Sequence, residues 1–400
     1  MLAKALNLKN KLIHWRRDFH QHPELGFEEF RTSDIVARYL EALGLDVRRG
    51  VGQTGVVGLL QGQEDGPTIA LRADMDALPI EDQKQVDYRS KVSGIAHACG
   101  HDAHTSILMG VAQVLVEHVT KIKGNVKFIF QPAEEGLGGA EAMIRDNVLL
   151  DPRVDAIAGL HVHNSIPTGH ISAVRGVSCA AADQIWIKII GKGGHAAYPH
   201  QTIDAISVAG EVISALQHIT SRQIDPLDSI VITIGKIRGG SASNVIAPEV
   251  EMKGTVRTIN PKLREEMPQR IKTVIHGVTS GLGASYEFNY QKGYPSIIND
   301  NALIDLLLET VDDVMGKNCW ELGQPTMGSE DFSYYTQHVP GVFFRLGTGN
   351  KQKRSVQSGH HPAFGIDEDS LPIGVALLSA FALNYLHLQS LHESQGGEMC

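Results

Sequence analysis

Short apolar runs that interleave with helical spacing, and that end in clusters of metal-competent side chains, constrain this chain more than any other feature. The runs lie at 55–60, 68–71, 107–118, 126–130 and 156–160, and helical spacing is set by Ile35, Val36, Tyr39, Leu40 and Leu43. Alternation of this kind specifies an α/β fold with a mainly parallel sheet. Ligands of such sheets gather at the carboxyl ends of the strands. There this sequence places Cys99, His101, Glu134, Glu135, His161 and His163, and His360-His361 follow near the C-terminus.

Around Ala182 the texture changes. Residues 184–190 alternate as a strand, a helical run follows at 202–218, and strands recur at 229–237, 249–258 and 285–291 with a helical run at 262–280. Strand, helix, strand, strand, helix, strand is the ferredoxin-like order. After Gly293 the α/β texture resumes, so the economical division is a discontinuous larger domain, 1–182 with 293–400, interrupted by a small α+β domain, 183–292. A length of 400 residues also exceeds what one core usually serves.

Composition sets the remaining bounds. An apolar fraction of 42% with 20% charged residues is ordinary for a globular chain, and disorder is expected only in the tail, 393–400. A net charge of −9 with no basic stripe argues against nucleic acid. The four cysteines, Cys99, Cys179, Cys319 and Cys400, are too widely spaced for a disulfide framework. Residues 1–20 lack an uninterrupted apolar core, so they are not a signal peptide. The uncharged stretch 371–388 reads as a buried helix and not a membrane span, and a reducing cytoplasm is the simplest setting.

The chemistry concentrates in a few segments. In His97-Ala98-Cys99-Gly100-His101-Asp102-Ala103-His104 the spacing lets Cys99 and His101 face one metal centre, with His97 or His104 as an orienting partner. Sulfur and imidazole suit zinc-like ions better than hard ions. Asp74 and Asp76, at i and i+2 on a strand end, face the same way and either orient a ligand imidazole or bind metal directly. In Gln131-Pro132-Ala133-Glu134-Glu135 adjacent side chains on a strand end point apart. One glutamate can then ligate metal while the other takes a proton from water. His195, between small residues, is placed to donate to a developing oxyanion, and Arg257 is a carboxylate clamp or a structural ion-pair partner. Residues 50–55 match a dinucleotide fingerprint literally, but strand-like 56–60 follows where a helix is required. No Gly-x-Ser-x-Gly elbow is present.

These motifs together resemble the M20 metallopeptidase family, in its amidohydrolase branch of aminoacylases, hippurate hydrolases and auxin-conjugate hydrolases. The resemblance covers nearly the whole chain: 18–25, 72–79, 97–104, 131–135, 191–200, 327–332 and His360-His361-Pro362. It implies two divalent metal ions (zinc, manganese, cobalt or nickel) held by Cys99, His101, Glu135, His161 and His360, with Glu134 as general base. His161 is preferred to His163 because it follows Gly159-Leu160, and His360 to His361 because it lies two residues before Pro362. Asp74 and Asp76 would support the ligands. Other branches carry a histidine where Asp74 stands. The resemblance further implies that 183–292 is a dimerisation domain through which His195 reaches a partner subunit's site, in a homodimer or dimer-based tetramer. Asn244 and Arg257 match positions that hold a substrate carboxylate. The implied reaction is hydrolysis of N-acyl amino acids by metal-activated water. The alternatives are a carboxypeptidase or dipeptidase of the same family, a cysteine hydrolase built on Cys99, or a ligand-binding relative without catalysis.

Overall fold

The computed structural model describes residues 1–353 and 355–396; Arg354, Cys400 and the end of the tail expected to be disordered lie outside the described residues. The chain divides into two compact units. One comprises Met1–Ser178, Ile298–Gln324 and the chain from Asp331 onward, and the other comprises Cys179–Ile297 with Pro325–Glu330.

The larger unit is α/β. Its eight-stranded sheet runs, edge to edge, Asp46–Val51, Gly55–Gln61, Lys123–Gln131, Glu64–Asp74, Ala156–Pro167, Gly341–Gly349, Ile171–Ala173 and Trp320–Leu322. The three pairings at its centre, from Lys123–Gln131 across to Gly341–Gly349, are parallel. The fingerprint-like residues 50–55 are the turn region of an antiparallel hairpin between the first two strands, which accounts for the missing helix.

The central strands are buried along most of their length, as continuous apolar runs should be when helices cover both faces. The helix His101–Val116 is buried at every residue from His101 to Ala112, the condition of an interior helix with no solvent face. The helix Leu371–Gly396 packs against it and against Lys9–Gln21 and Asn301–Met315. Among the described residues, Glu368–Leu391 is the one helix long and apolar enough to cross a membrane, yet 72% of its most apolar window is buried within the fold. It is a core helix, as the sequence suggested.

The smaller unit has the ferredoxin-like arrangement. Its sheet has the order Ile230–Gly239, Glu249–Thr258, Ala181–Ile190, Ser285–Gln291, antiparallel throughout. The helices Ala205–His218 and Pro261–Gly281 pack on this sheet. Each helix begins at a side-chain cap: Asp204 accepts from the N–H groups of Ile206 and Ser207, and Asn260 from those of Lys262 and Leu263. Alternate burial along Ala181–Ile190 gives the sheet one apolar face, where Ile185, Ile187 and Ile189 meet Val212, Leu216, Met267 and Ile271. The unit therefore has a core of its own.

Candidate metal centre

Every ligand expected from the sequence lies in the larger unit, and four separate segments bring them to the site. Cys99 and His101 flank Gly100, which caps the helix His101–Val116 in the left-handed region at φ 96°. A Cβ on Gly100 would stand 2.4 Å from Val162 Cγ2, so only glycine lets this turn close on the neighbouring strand. His161 lies inside Ala156–Pro167, a strand that runs beyond the apolar stretch that announced it. Glu134 and Glu135 follow the strand Lys123–Gln131, in a turn and not on the strand end expected. Pro132 cannot donate to the ladder, and Ala133 adopts φ 53°. His360, at φ 66°, is held by its backbone N–H, which donates to Ala98 O over 2.8 Å.

Hydrogen bonds fix which nitrogen of each imidazole stays available. His101 Nδ1 lies 3.1 Å from Asp76 Oδ1, which leaves buried Nε2 without a hydrogen-bond partner, 3.6 Å from Asp74 Oδ2 and 4.0 Å from Glu135 Oε1. His161 Nδ1 donates to Val162 O over 2.7 Å, and its Nε2 sits 3.4 Å from Cys99 Sγ. His360 Nε2 lies 3.2 Å from Glu135 Oε1, close enough for charge attraction, although that oxygen has no well-aligned hydrogen bond.

His104 is different. Its Nε2 accepts from Val162 N–H over 2.9 Å, so Nδ1 carries the proton and donates to Asp74 Oδ1 over 2.6 Å. Both nitrogens are occupied, and His104 is a support. Asp74 is also held by Arg72 at 2.8 Å. Asp76, besides orienting His101, accepts from Glu135 N–H over 2.9 Å.

Donor atoms of Cys99, His101 and His161 lie within 4.8 Å of one another, as do those of Cys99, Glu135 and His360, and those of His101, Glu134 and Glu135. Cys99 belongs to two of these groups. An imidazole nitrogen and a carboxylate oxygen without hydrogen-bond partners, converging with a sulfur that lies against a second imidazole, are what a borderline-soft cation requires, so the residues present fit a metal.

The protonation balance agrees. Burial pushes the Cys99 thiol up and holds His161 well below the usual imidazole range. His360 is pushed up to about 10 by its close polar contacts with Cys99 and Glu135. Burial opposes charge on His101, but Asp74 and Cys99 outweigh it and hold its imidazolium well above the usual range. These groups share protons among themselves, and a cation binding there displaces them.

The other expected residues are placed as follows. His163 Nδ1 pairs with Ser165 Oγ at 2.8 Å, and His361 Nδ1 accepts from Ala363 N–H over 3.0 Å. Neither belongs to the ligand groups above. His97 is buried, its two ring nitrogens have no hydrogen-bond partner, and burial lowers its pKa to about 3. In the smaller unit, His195 is exposed on the two-residue strand Gly194–His195, paired with Val245–Ile246. Its Nδ1 accepts from Ala197 N–H over 3.1 Å, which leaves Nε2–H as the outward donor of the neutral ring. Asn244 is adjacent, since its carbonyl accepts from Ala196 N–H over 3.0 Å. Arg257 is half-buried on Glu249–Thr258 and donates to Thr255 Oγ1.

Two buried charge webs extend beyond the residues given roles from the sequence. Arg72 joins Gln131 (2.8 Å), Asp74 and Asp331 (2.9 Å). Asp102 takes Arg16 Nε at 2.8 Å and His20 Nδ1 at 2.6 Å, which hold its carboxyl well below the usual range despite burial. An arginine inside an otherwise apolar strand, as in 68–74, was the available signal for the first web.

The comparisons with known proteins agree with this geometry. The crystal structure of the Bacillus subtilis YXEP protein, described as a dinuclear metal binding peptidase from the M20 family, is similar at a TM-score of 0.85 and 36% identity. The match spans 95% of this chain and 99% of that one. The Arabidopsis thaliana IAA-amino acid hydrolase ILR1-like 4 is 42% identical over 96% of this chain and 88% of its own. The N-acetylcysteine deacetylase of Bacillus subtilis is 39% identical over 96% of this chain and 98% of its own. The model of peptidase family M20/M25/M40 matches residues 70–384, a span that holds every candidate ligand, and the chain belongs to that family.

Proposed function

We propose that this M20 hydrolase cleaves the amide bond of N-acyl amino acids, giving a carboxylic acid and a free amino acid. The observation that carries the reading is the convergence of Cys99, His101, His161, Glu135 and His360 with buried Glu134 beside them. These five side chains would hold two divalent ions. When bound, the ions polarise the scissile carbonyl and acidify water. Glu134 takes the proton from the attacking water on its carboxylate and passes it to the leaving amine nitrogen. The partner subunit's His195, through Nε2–H, donates to the carbonyl oxygen as it gains charge. Asn244 and Arg257 hold the substrate's carboxylate. That role for His195 takes Cys179–Ile297 as a dimerisation unit. The similarity to an N-acetylcysteine deacetylase and an IAA-amino acid hydrolase supports small acyl amino acids as the substrate class. The described cysteines are free, and a Cys99 ligand must stay reduced, which suits the cytoplasm.

Amine release from a panel of N-acetyl, N-benzoyl and N-aminobenzoyl amino acids, with dipeptides alongside, tests the reading. Metal-stripped protein is assayed with and without zinc or manganese. Metal-restored cleavage of acyl amino acids is expected. Preferential cleavage of dipeptides moves the assignment to a dipeptidase, and binding without turnover moves it to a ligand-binding relative. Mixed dimers of His195→Ala and Glu134→Gln chains should recover activity, and their failure to do so removes the role in trans.

A further inference from the structure

The turn that carries Glu134 is anchored on both sides by buried carboxylates from distant parts of the chain. On the C-terminal side, Glu135 N–H donates to Asp76 Oδ2 over 2.9 Å. On the N-terminal side, Ala133 N–H donates to Glu29 Oε1 over 2.8 Å. Glu29 is completely buried and belongs to no ligand group. Its second oxygen accepts from the hydroxyl of buried Thr54. Its own carbonyl accepts from Ser33 N–H over 2.9 Å at the start of the helix Phe30–Ala42, so the side chain projects from a fixed point.

Ala133 needs an anchor. Its φ of 53° is a conformation that residues with a Cβ rarely adopt, and it follows Pro132, which offers no N–H. The segment bearing Glu29 also lies hard against this turn: a Cβ on Gly26 would come within 3.0 Å of Ala133 Cα.

Resting on the reading of Glu134 as general base, we infer that Glu29 is a positioning residue for it. Glu29 fixes the Pro132–Ala133 peptide, one residue ahead of Glu134, and Asp76 fixes the Glu134–Glu135 peptide that follows it. What the role requires of Glu29 is reach: an acceptor at the Ala133 amide and a second polar atom at Thr54. A glutamine supplies both, because its carbonyl can accept from Ala133 while its amide donates to the Thr54 hydroxyl. An aspartate keeps the charge and is one methylene too short.

The test compares Glu29→Gln and Glu29→Asp on the best substrate of the panel above, with metal content measured in each. Glu29→Gln should keep kcat within about fivefold of wild type. Glu29→Asp should lose about ten- to a hundredfold in kcat, with KM within about twofold and metal content unchanged, as expected for a misplaced base. A Glu29→Gln variant outside that fivefold range overturns the inference in favour of a need for charge. An unimpaired Glu29→Asp variant, or one whose loss lies in KM or metal content, overturns it as well. If Glu29→Asp does not fold, amide hydrogen exchange decides. Protection of the Ala133 amide in both wild type and Glu29→Gln supports the inference, and exchange at open-loop rates in either overturns it. Glu134→Gln is assayed in parallel. If it retains turnover, the base assignment itself fails; if it is inactive while Glu29→Asp is unimpaired, only the role of Glu29 fails.

Discussion

At the scale of single residues, the site works through groups that aim other groups. Asp76 is the clearest, since one oxygen orients His101 and the other holds the Glu135 amide. Asp76→Ala should weaken metal binding about 10–100-fold, as loss of an orienting carboxylate does elsewhere, measured by competition with a chelator of known affinity. Glu29 gives a second prediction, on stability. Its carboxyl, at 4.5 when exposed, is pushed up to about 7 by burial, with the Asp76 charge acting in the same direction. Below pH 4.5 both folded and unfolded forms carry the proton. Between these values the folded form holds a proton that the unfolded chain has lost, so this contribution to stability falls as pH rises and is gone above about 7. The stability difference between wild type and Glu29→Gln should therefore shrink or reverse by on the order of 2–3 kcal/mol from pH 4.5 to 7, read from urea unfolding.

At the scale of elements, two devices hold the strands and turns that bear the ligands. Gly100→Ala places a Cβ 2.4 Å from Val162 Cγ2 at a left-handed φ. It should cost more than about 1 kcal/mol in stability. Because Cys99 and His101 lie on either side, metal affinity should fall further than the melting temperature suggests. Lys127, buried in the strand that leads to Glu134, donates to the carbonyls of Val148, Leu150 and Pro152 at 2.7–3.0 Å. Lys127→Met leaves these acceptors unpaired and should cost about 2–4 kcal/mol by chemical denaturation. Elements of this kind also mark how far the sequence could be read. The sheet class, the ferredoxin-like order and the buried C-terminal helix were legible because each depends on the period of apolar residues along one segment. The turn at 132–136 was not, since the left-handed Ala133 carries no glycine signal and its anchor is more than a hundred residues away in Glu29. His104 read as well as an orienting partner as His97 did. The Val162 amide that separates them belongs to a strand sixty residues on, which no local pattern reveals.

At the scale of the whole molecule, the two units have separate cores, one built around the eight-stranded sheet and one beneath the four-stranded sheet. The candidate metal ligands belong to the first alone. Calorimetry should resolve a transition that falls when metal is stripped and one that does not move. Zinc at a thousandfold excess over its Kd should restore about 4 kcal/mol to the first. A single transition that shifts as a whole would mean that the units unfold together. The order of the ligands along the chain has a consequence for biosynthesis. Residues 179–297, with every strand and helix of the smaller sheet, leave the ribosome before His360 is made. Domains fold as they emerge, so the inserted unit can be finished while the larger one still lacks a candidate ligand and the helix Leu371–Gly396 beneath its sheet. A nascent chain stalled after residue 297 has emerged and before residue 360 is made would thus carry a folded insert on an unfinished larger unit, and the candidate metal site that includes His360 is complete only in the last tenth of translation.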